Sequence, residues 1–409
     1  MNTKKMLAAT ALVLLLMKMV ALREVKISKD FLFVSILAAM VSMCGLFSVT
    51  YNNTPDYTYA TYISSAWVWW GAAYTACQVI RLVHGRLTWI LVINYLMAVC
   101  VFQCIIALVM DMNPSVKHLV NSIVLQEDQD FIFTGNVHRL YGIGASLDVA
   151  GSRFGAVLIM ILFLLANSRL QKYWYEYFLY FLGFIIISIA GNMVARTTMV
   201  GLLVGLVYLA FISIRQFKVI EKNYFNLWKW LLGLLVICIP LAVWAYHTDR
   251  RIQENIRFGF EGFFNYFEKG EFTYSSNESL KTMYVWPDNT KTWIIGDGYF
   301  DNPNLTDPTY TGENYAGNFY KGTDVGYLRF IYYFGTIGLL AFSWYMVKVG
   351  QVCMNKFPQW KILFLLLLIM HFLVWAKVST DIFLVFAMFL CLNPNEDENA
   401  YYLSHSRNI

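Results

Sequence analysis

Four arginines sit where solubility alone would not put them. Arg139 and Arg153 flank the Gly-rich Tyr141-Gly-Ile-Gly144, Arg196 occupies the short connection Asn192-Met-Val-Ala-Arg-Thr-Thr198, and Arg329 follows a long polar stretch. A guanidinium grips phosphate through paired hydrogen bonds and is expensive beside hydrocarbon. An arginine bordering an apolar run therefore reads as an anion holder or as an anchor among lipid headgroups. Arg196 leans to the first reading, because a cation in so short an outer hairpin opposes the charge bias of membrane topology. A second chemistry is suggested by the aromatics of residues 247–326, among them Tyr274, Trp286, Trp293, Tyr299 and Tyr320, interleaved with Asn, Asp, Glu and Gly. Such faces suit sugar rings, which present an apolar C–H side and a hydroxyl rim, and they equally suit the core of a small folded cap. Asp128-Gln-Asp130 is formally a metal-holding triplet, and Lys377 and Asp381 read as a local charge pair rather than a proton relay; neither signal is specific. HExxH, GxxxxGK(S/T), a dinucleotide fingerprint and paired CxxC are all missing, which leaves zinc hydrolysis and direct use of a nucleotide without support. Neither a metal nor a cofactor is expected.

These groups need a scaffold, and composition says of what kind. With 58% hydrophobic and only 14% charged residues, and a mean hydropathy of +0.51, the chain exceeds what an ordinary soluble core can hide, and the lipid bilayer is its expected partner. The net charge of +5 comes from Lys and Arg gathered in short loops between apolar runs, as topology demands, so nucleic acid is not an expected partner. The seven cysteines fall in apolar runs or in a loop placed inside, which implies no external disulfide framework. The run 6–22 follows Lys4 and Lys5 like a signal peptide, but no small-residue cleavage site follows it, and it reads as a retained helix.

Apolar runs long enough to cross a core of about 30 Å appear at 6–22, 31–50, 61–82, 87–110, 153–168, 175–194, 197–214, 227–246, 327–349, 361–377 and 379–394, or about eleven to twelve transmembrane helices. The expected fold is an all-α polytopic bundle with a large, partly helical outer loop. Basic connections alternate with non-basic ones, which puts the 111–152 and 247–326 loops outside. An odd helix count would leave Lys4 and Lys5 outside as well, against the same rule. The chain divides on this reading into an N-terminal bundle (1–246), the large loop (247–326) and C-terminal helices with a short tail (327–409). That loop opens with an amphipathic stretch, Arg250 to Phe267, and carries turn clusters at 286–290 and 301–304.

Taken together, Ala195-Arg196-Thr-Thr-Met-Val-Gly-Leu-Leu, Ile295-Gly296-Asp297-Gly298-Tyr299-Phe300 and Thr323-Asp324-Val-Gly-Tyr327-Leu-Arg329-Phe-Ile-Tyr-Tyr-Phe-Gly335-Thr-Ile-Gly338 resemble the bacterial O-antigen polymerase and O-antigen ligase superfamily over the C-terminal half. Arg139-Leu-Tyr-Gly-Ile-Gly144 is similar to that group's arginine-bearing segment in an earlier outer loop. The ligase branch has His and a polar residue separated by nine residues from Gly-x-x-Gly; here Asp324 and Val325 keep that spacing before Gly335 and Gly338 but replace the His and its polar neighbour, a departure that favours the polymerase branch. The resemblance implies a metal-independent glycosyltransferase at the periplasmic face of a bacterial inner membrane, joining polyprenyl-pyrophosphate-linked glycans, with a chain-length regulator as a conceivable partner. It also implies roles: Arg139 and Arg196 with the lipid pyrophosphate, Lys281, Arg329, Arg153, Asp297 and Tyr327 in substrate binding, and Asp324 orienting or deprotonating the acceptor hydroxyl. The competing expectations are a ligase transferring glycan to a lipid A core, a glycosyltransferase using Asp128 and Asp130 with a metal, and a polysaccharide transporter. A transporter would be expected to show pseudo-repeats or broken helices carrying charge at mid-membrane, and neither is evident in the sequence.

Overall fold

A computed structural model of the chain describes residues 3–23, 27–124, 140–145, 147–166, 174–216, 240–315 and 318–396, with isolated positions between 229 and 236. Among these the regular structure is helical, apart from two isolated β-bridges, Gly142 with Ala145 and Asp301 with Phe319. In chain order the helices are α1 (Thr3–Leu22), α2 (Lys29–Asn52), α3 (Tyr62–His84), α4 (Trp89–Met112), α5 (Pro114–Ile123), α6 (Leu147–Ala166), α7 (Trp174–Val194), α8 (Thr198–Gln216), α9 (Arg250–Gly259), α10 (Glu261–Lys269), α11 (Ser275–Thr282), α12 (Thr290–Ile294), α13 (Pro303–Thr306), α14 (Gly326–Lys356), α15 (Lys361–Trp375) and α16 (Phe383–Leu390). Six of them, α2, α4, α6, α7, α14 and α15, are long and apolar enough to cross a membrane, α15 together with the turn before it. The chain is an all-α, multi-pass membrane protein.

Differences from the sequence reading have local causes. The run expected at 379–394 is helical only over Phe383–Leu390, because residues 377–382 form a turn in which Trp375 Nε1 donates to the Thr380 carbonyl (2.8 Å) and Asp381 Oδ1 accepts from Phe383 N–H (2.9 Å). Of the run at 227–246 only its end is described continuously, as helix from 240 to 248. The amphipathic stretch from Arg250 to Phe267 is two helices rather than one, parted at Phe260, whose φ of −118° and ψ of 25° end α9 and begin α10.

The chain packs as two compact units, residues 93–277 and residues 2–92 with 278–409. In the first, α6 is buried over nearly its whole length because small residues admit α8 against it: a Cβ on Gly201 would fall onto the backbone of Gly155. Close backbone approach of this kind holds helices together where lipid removes the hydrophobic drive between them. In the second, α1 meets α3 through Gly71 and Ala8, and Thr75 Oγ1 donates to the Leu7 carbonyl (2.8 Å). Ser28 caps α2 by accepting from Phe31 N–H (3.0 Å). The core of this unit is aromatic, with Tyr59 ringed by Tyr62, Phe330, Tyr333, Phe334 and Phe342 at centroid distances of 5.5–5.8 Å.

Helix α14 is broken inside its apolar length. Phe334 (φ −137°, ψ 19°) and Gly335 (φ 69°, ψ −175°) leave the helical region. The carbonyls freed there are taken by the loop that precedes the helix: Asp297 N–H donates to Tyr332 O (2.6 Å) and Gly298 N–H to Tyr333 O (3.1 Å), while Ser48 Oγ of α2 also donates to Tyr333 O (2.7 Å). Irregular backbone at membrane depth survives only when protein satisfies it in this way.

Candidate functional site

The two glycine motifs of the C-terminal half fit into one another. A Cβ on Gly296 would stand 2.6 Å from Phe334 N and Tyr333 O, and one on Gly335 would fall onto the carbonyl of Ile294. Gly296 (φ 87°) and Gly298 (φ 76°) adopt left-handed backbone that a side chain would strain. The C-terminal end of α2 and the residues after it close the clasp. Asn52 Nδ2 donates to Gly296 O (3.1 Å), Thr54 Oγ1 donates to Gly298 O (2.8 Å), and Asp56 Oδ2 accepts from Phe300 N–H (2.7 Å).

Several residues expected to touch substrate are built into this clasp. Asp297 accepts from Lys291 Nζ (2.7 Å), Thr292 Oγ1 (2.6 Å) and Tyr320 OH (3.2 Å), so its carboxylate is held on three sides. Arg329, only 7% exposed, donates to Asp301 Oδ1 (2.9 Å), Phe300 O (3.1 Å) and Ser379 Oγ (3.0 Å), with its guanidinium between the rings of Phe300 (3.6 Å) and Phe319 (4.2 Å). Burial pushes the Asp301 carboxyl above the usual carboxylate range, against the opposing pull of Arg329 and with Asp56 adding to the rise. Tyr327 OH donates to Phe372 O (2.8 Å). Lys281 is an exposed partner of Glu278 (2.8 Å). Asp324 stands half-buried just before α14, beside Thr323, whose hydroxyl donates to Met283 O (2.6 Å).

In the unit 93–277 the structure brings Arg196 to a pocket of about 320 Å³ lined by Arg257, Phe258, Glu261, Phe264, Asn265 and Ser275 as well. The turn Ala195–Thr197 between α7 and α8 presents the guanidinium, which donates from Nε to Phe258 O (3.0 Å), pairs with Glu261 (2.8 Å) and stacks over Phe258 (4.1 Å). Glu261 in turn accepts from Ser275 N–H (3.1 Å) and Oγ (3.0 Å). Arg257 donates to Tyr246 OH (2.8 Å) and to both oxygens of Glu268 (2.6 and 2.7 Å), bonds that push its own ionisation further up. The pocket thus holds two guanidiniums, each engaged by a carboxylate that an incoming anion would have to displace, together with aromatic faces, an amide and a hydroxyl.

Arg153 lies on the second turn of α6, and Arg139, like Asp128 and Asp130, lies outside the described residues. Arg257 went unread in the sequence although it carried a signal. Arg257, Glu261, Phe264, Asn265 and Glu268 recur at helical spacing, a second stripe beside the apolar one of the same segment. Asn52, Asp56 and Lys291 had no such signal, since their partners lie more than 200 residues away or on a turn.

No family model matches this chain, and neither a curated protein nor a solved structure does.

Proposed function

We propose that the protein is a glycan polymerase of the bacterial inner membrane. It joins polyprenyl-pyrophosphate-linked oligosaccharide units at the periplasmic face, with the lipid pyrophosphate as leaving group. The observation that carries the reading is the Arg196 pocket. A membrane protein that gathers two guanidiniums, two phenylalanine rings, an amide and a hydroxyl at the end of a helical hairpin offers what a phosphate joined to a sugar requires. The activated sugar brings its own leaving group, so the protein's task is to stabilise the departing charge and to position a hydroxyl. Arg329, Asp297 and Tyr327 serve this reading as supports of the cap rather than as substrate ligands. Arg196 then has two duties, holding Glu261 and the Phe258 carbonyl in the resting protein and meeting the pyrophosphate when substrate enters.

A deletion strain complemented with Arg196→Ala or Arg196→Lys tests this, with surface polysaccharide run on a gel beside an expression control. One charge-assisted contact is worth about 1.5–3 kcal/mol, a tenfold to hundredfold loss of rate when it acts in the transition state. The ladder should collapse to single units in Arg196→Ala, and Arg196→Lys, which keeps charge but not the fork, should shorten it. A normal ladder from well-expressed Arg196→Ala refutes the assignment.

A further inference from the structure

The ends of three helices are tied together through α9 in the unit 93–277. Helix 240–248 passes through Asp249, whose carboxylate caps α9 by accepting from Arg251 N–H (2.7 Å), directly into that helix. Near its start α9 is tied to the end of α4: Arg251 Nη1 donates to Asp111 O (3.2 Å) and Asn255 Nδ2 to Asp111 Oδ2 (2.8 Å). At its finish Gly259 lies against the end of α7, where a Cβ would stand 3.2 Å from the backbone of Asn192 and Met193. Helices α4 and α7 are both of membrane-crossing length. A ten-residue helix about 15 Å long therefore touches the end of α4 near its own start and the end of α7 at its finish.

Two helices flank it. Helix α5 leaves α4 through the Asn113 cap, turns Lys117, His118 and Asn121 towards Arg251 and Glu254 around a trough of about 570 Å³, and leaves Leu119 and Ile123 exposed. Helix α10 docks one side on Tyr246 and Tyr274 through Phe264 and Gly262. Its other side presents Phe263, Tyr266 and Phe267 at i, i+3 and i+4, with Phe267 83% exposed. Exposed apolar side chains next to the ends of helices long enough to cross a membrane are chemically suited to the headgroup–acyl boundary.

We propose that α5, α9 and α10 form an in-plane raft on one leaflet, with Leu119, Ile123, Phe263, Tyr266 and Phe267 inserted at the headgroup–acyl boundary. The raft holds the Arg196 pocket at headgroup depth, where an anionic lipid headgroup enters without leaving the bilayer. Its contact with lipid is independent of the polymerase reading, and only the use of the pocket rests on it. The test places the photoreactive p-benzoylphenylalanine at position 267 or 123 of the full chain, in nanodiscs of phosphatidylethanolamine and phosphatidylglycerol, and detects phospholipid adducts by mass spectrometry after illumination. Position 207, exposed on the apolar helix α8, is the lipid-facing control, and position 250, an exposed arginine of α9, is the aqueous one. Adducts at 267 and 123 approaching those at 207, and few at 250, are expected. Adducts at 207 with none at 267 and 123, or cross-links from 267 to a second copy of the chain, overturn the proposal. Neither outcome involves glycan synthesis, so the polymerase reading stands or falls separately.

Discussion

Replacing Gly335 by alanine tests whether the interlocked glycines hold the loop to the membrane helix. The residue pairs a φ of 69° with a ψ of −175°, a region essentially reserved for glycine, and occupying it with a side chain costs about 1–3 kcal/mol. The added methyl would also fall onto the Ile294 carbonyl and stand 2.5 Å from Ile295 N, atoms of main chain that cannot rotate away. Overpacking of that kind adds about 1–3 kcal/mol, so the expected loss is roughly 2–6 kcal/mol. Gly270→Ala is the control: its φ of 76° imposes left-handed backbone, but nothing lies within 4 Å of the new Cβ, and about 1–2 kcal/mol is expected there. Tryptophan fluorescence during heating in nanodiscs reads the difference, and the lower bound corresponds to a fall in Tm of roughly 2 °C for a chain of 409 residues. Protease sensitivity of residues 303–315 should rise in Gly335→Ala and stay unchanged in Gly270→Ala. Equal melting of Gly335→Ala and wild type would mean that the loop is not clasped at this point.

Asp301 gives a pH dependence with a definite sign. Its carboxyl is raised in the folded protein, so the native state binds more protons than the unfolded chain between the unfolded value of about 3.9 and the higher native one. This group's contribution is most favourable below that window and is lost as pH rises through it. Asp301→Asn should remove that slope while sacrificing the Arg329 contact, which melting curves at several pH values would resolve; an unchanged slope refutes the burial argument. Lys281→Ala, which removes an exposed pair worth about 0–1 kcal/mol, should leave both melting and the glycan ladder unaltered, and loss of the ladder would return Lys281 to the site.

The fold class was legible because lipid imposes a crude requirement, long apolar helices with basic connections, that composition and run length report directly. Finer features were lost where a residue's meaning depends on a distant partner. Gly335 and Gly338 stood out as a motif, yet nothing in their spacing says that Gly335 receives Ile294. Arg329 announced itself as a costly cation near hydrocarbon, but that its guanidinium meets Phe300 and Asp301 depends on the turn at 300–301, which no spacing reports. Arg196 was singled out because its charge opposes topology, and Arg257, which lines the same pocket, was passed over although it lies on the polar stripe of the amphipathic segment. Asp324 was singled out only by its spacing before Gly335 and Gly338, which places a residue along the chain without saying what its carboxylate meets.

The break in α14 also bears on how the protein is made. With Tyr332 and Tyr333 unable to close their helical bonds, an isolated α14 would enter the bilayer carrying open carbonyls, each costing several kcal/mol in hydrocarbon. The N–H groups of Asp297 and Gly298 that close them belong to chain synthesised earlier, and Ser48 to chain synthesised earlier still. Integration of α14 is therefore tied to segments already waiting for it, and a lesion in the 296–298 turn should appear first as a failure of membrane insertion rather than as a loss of activity.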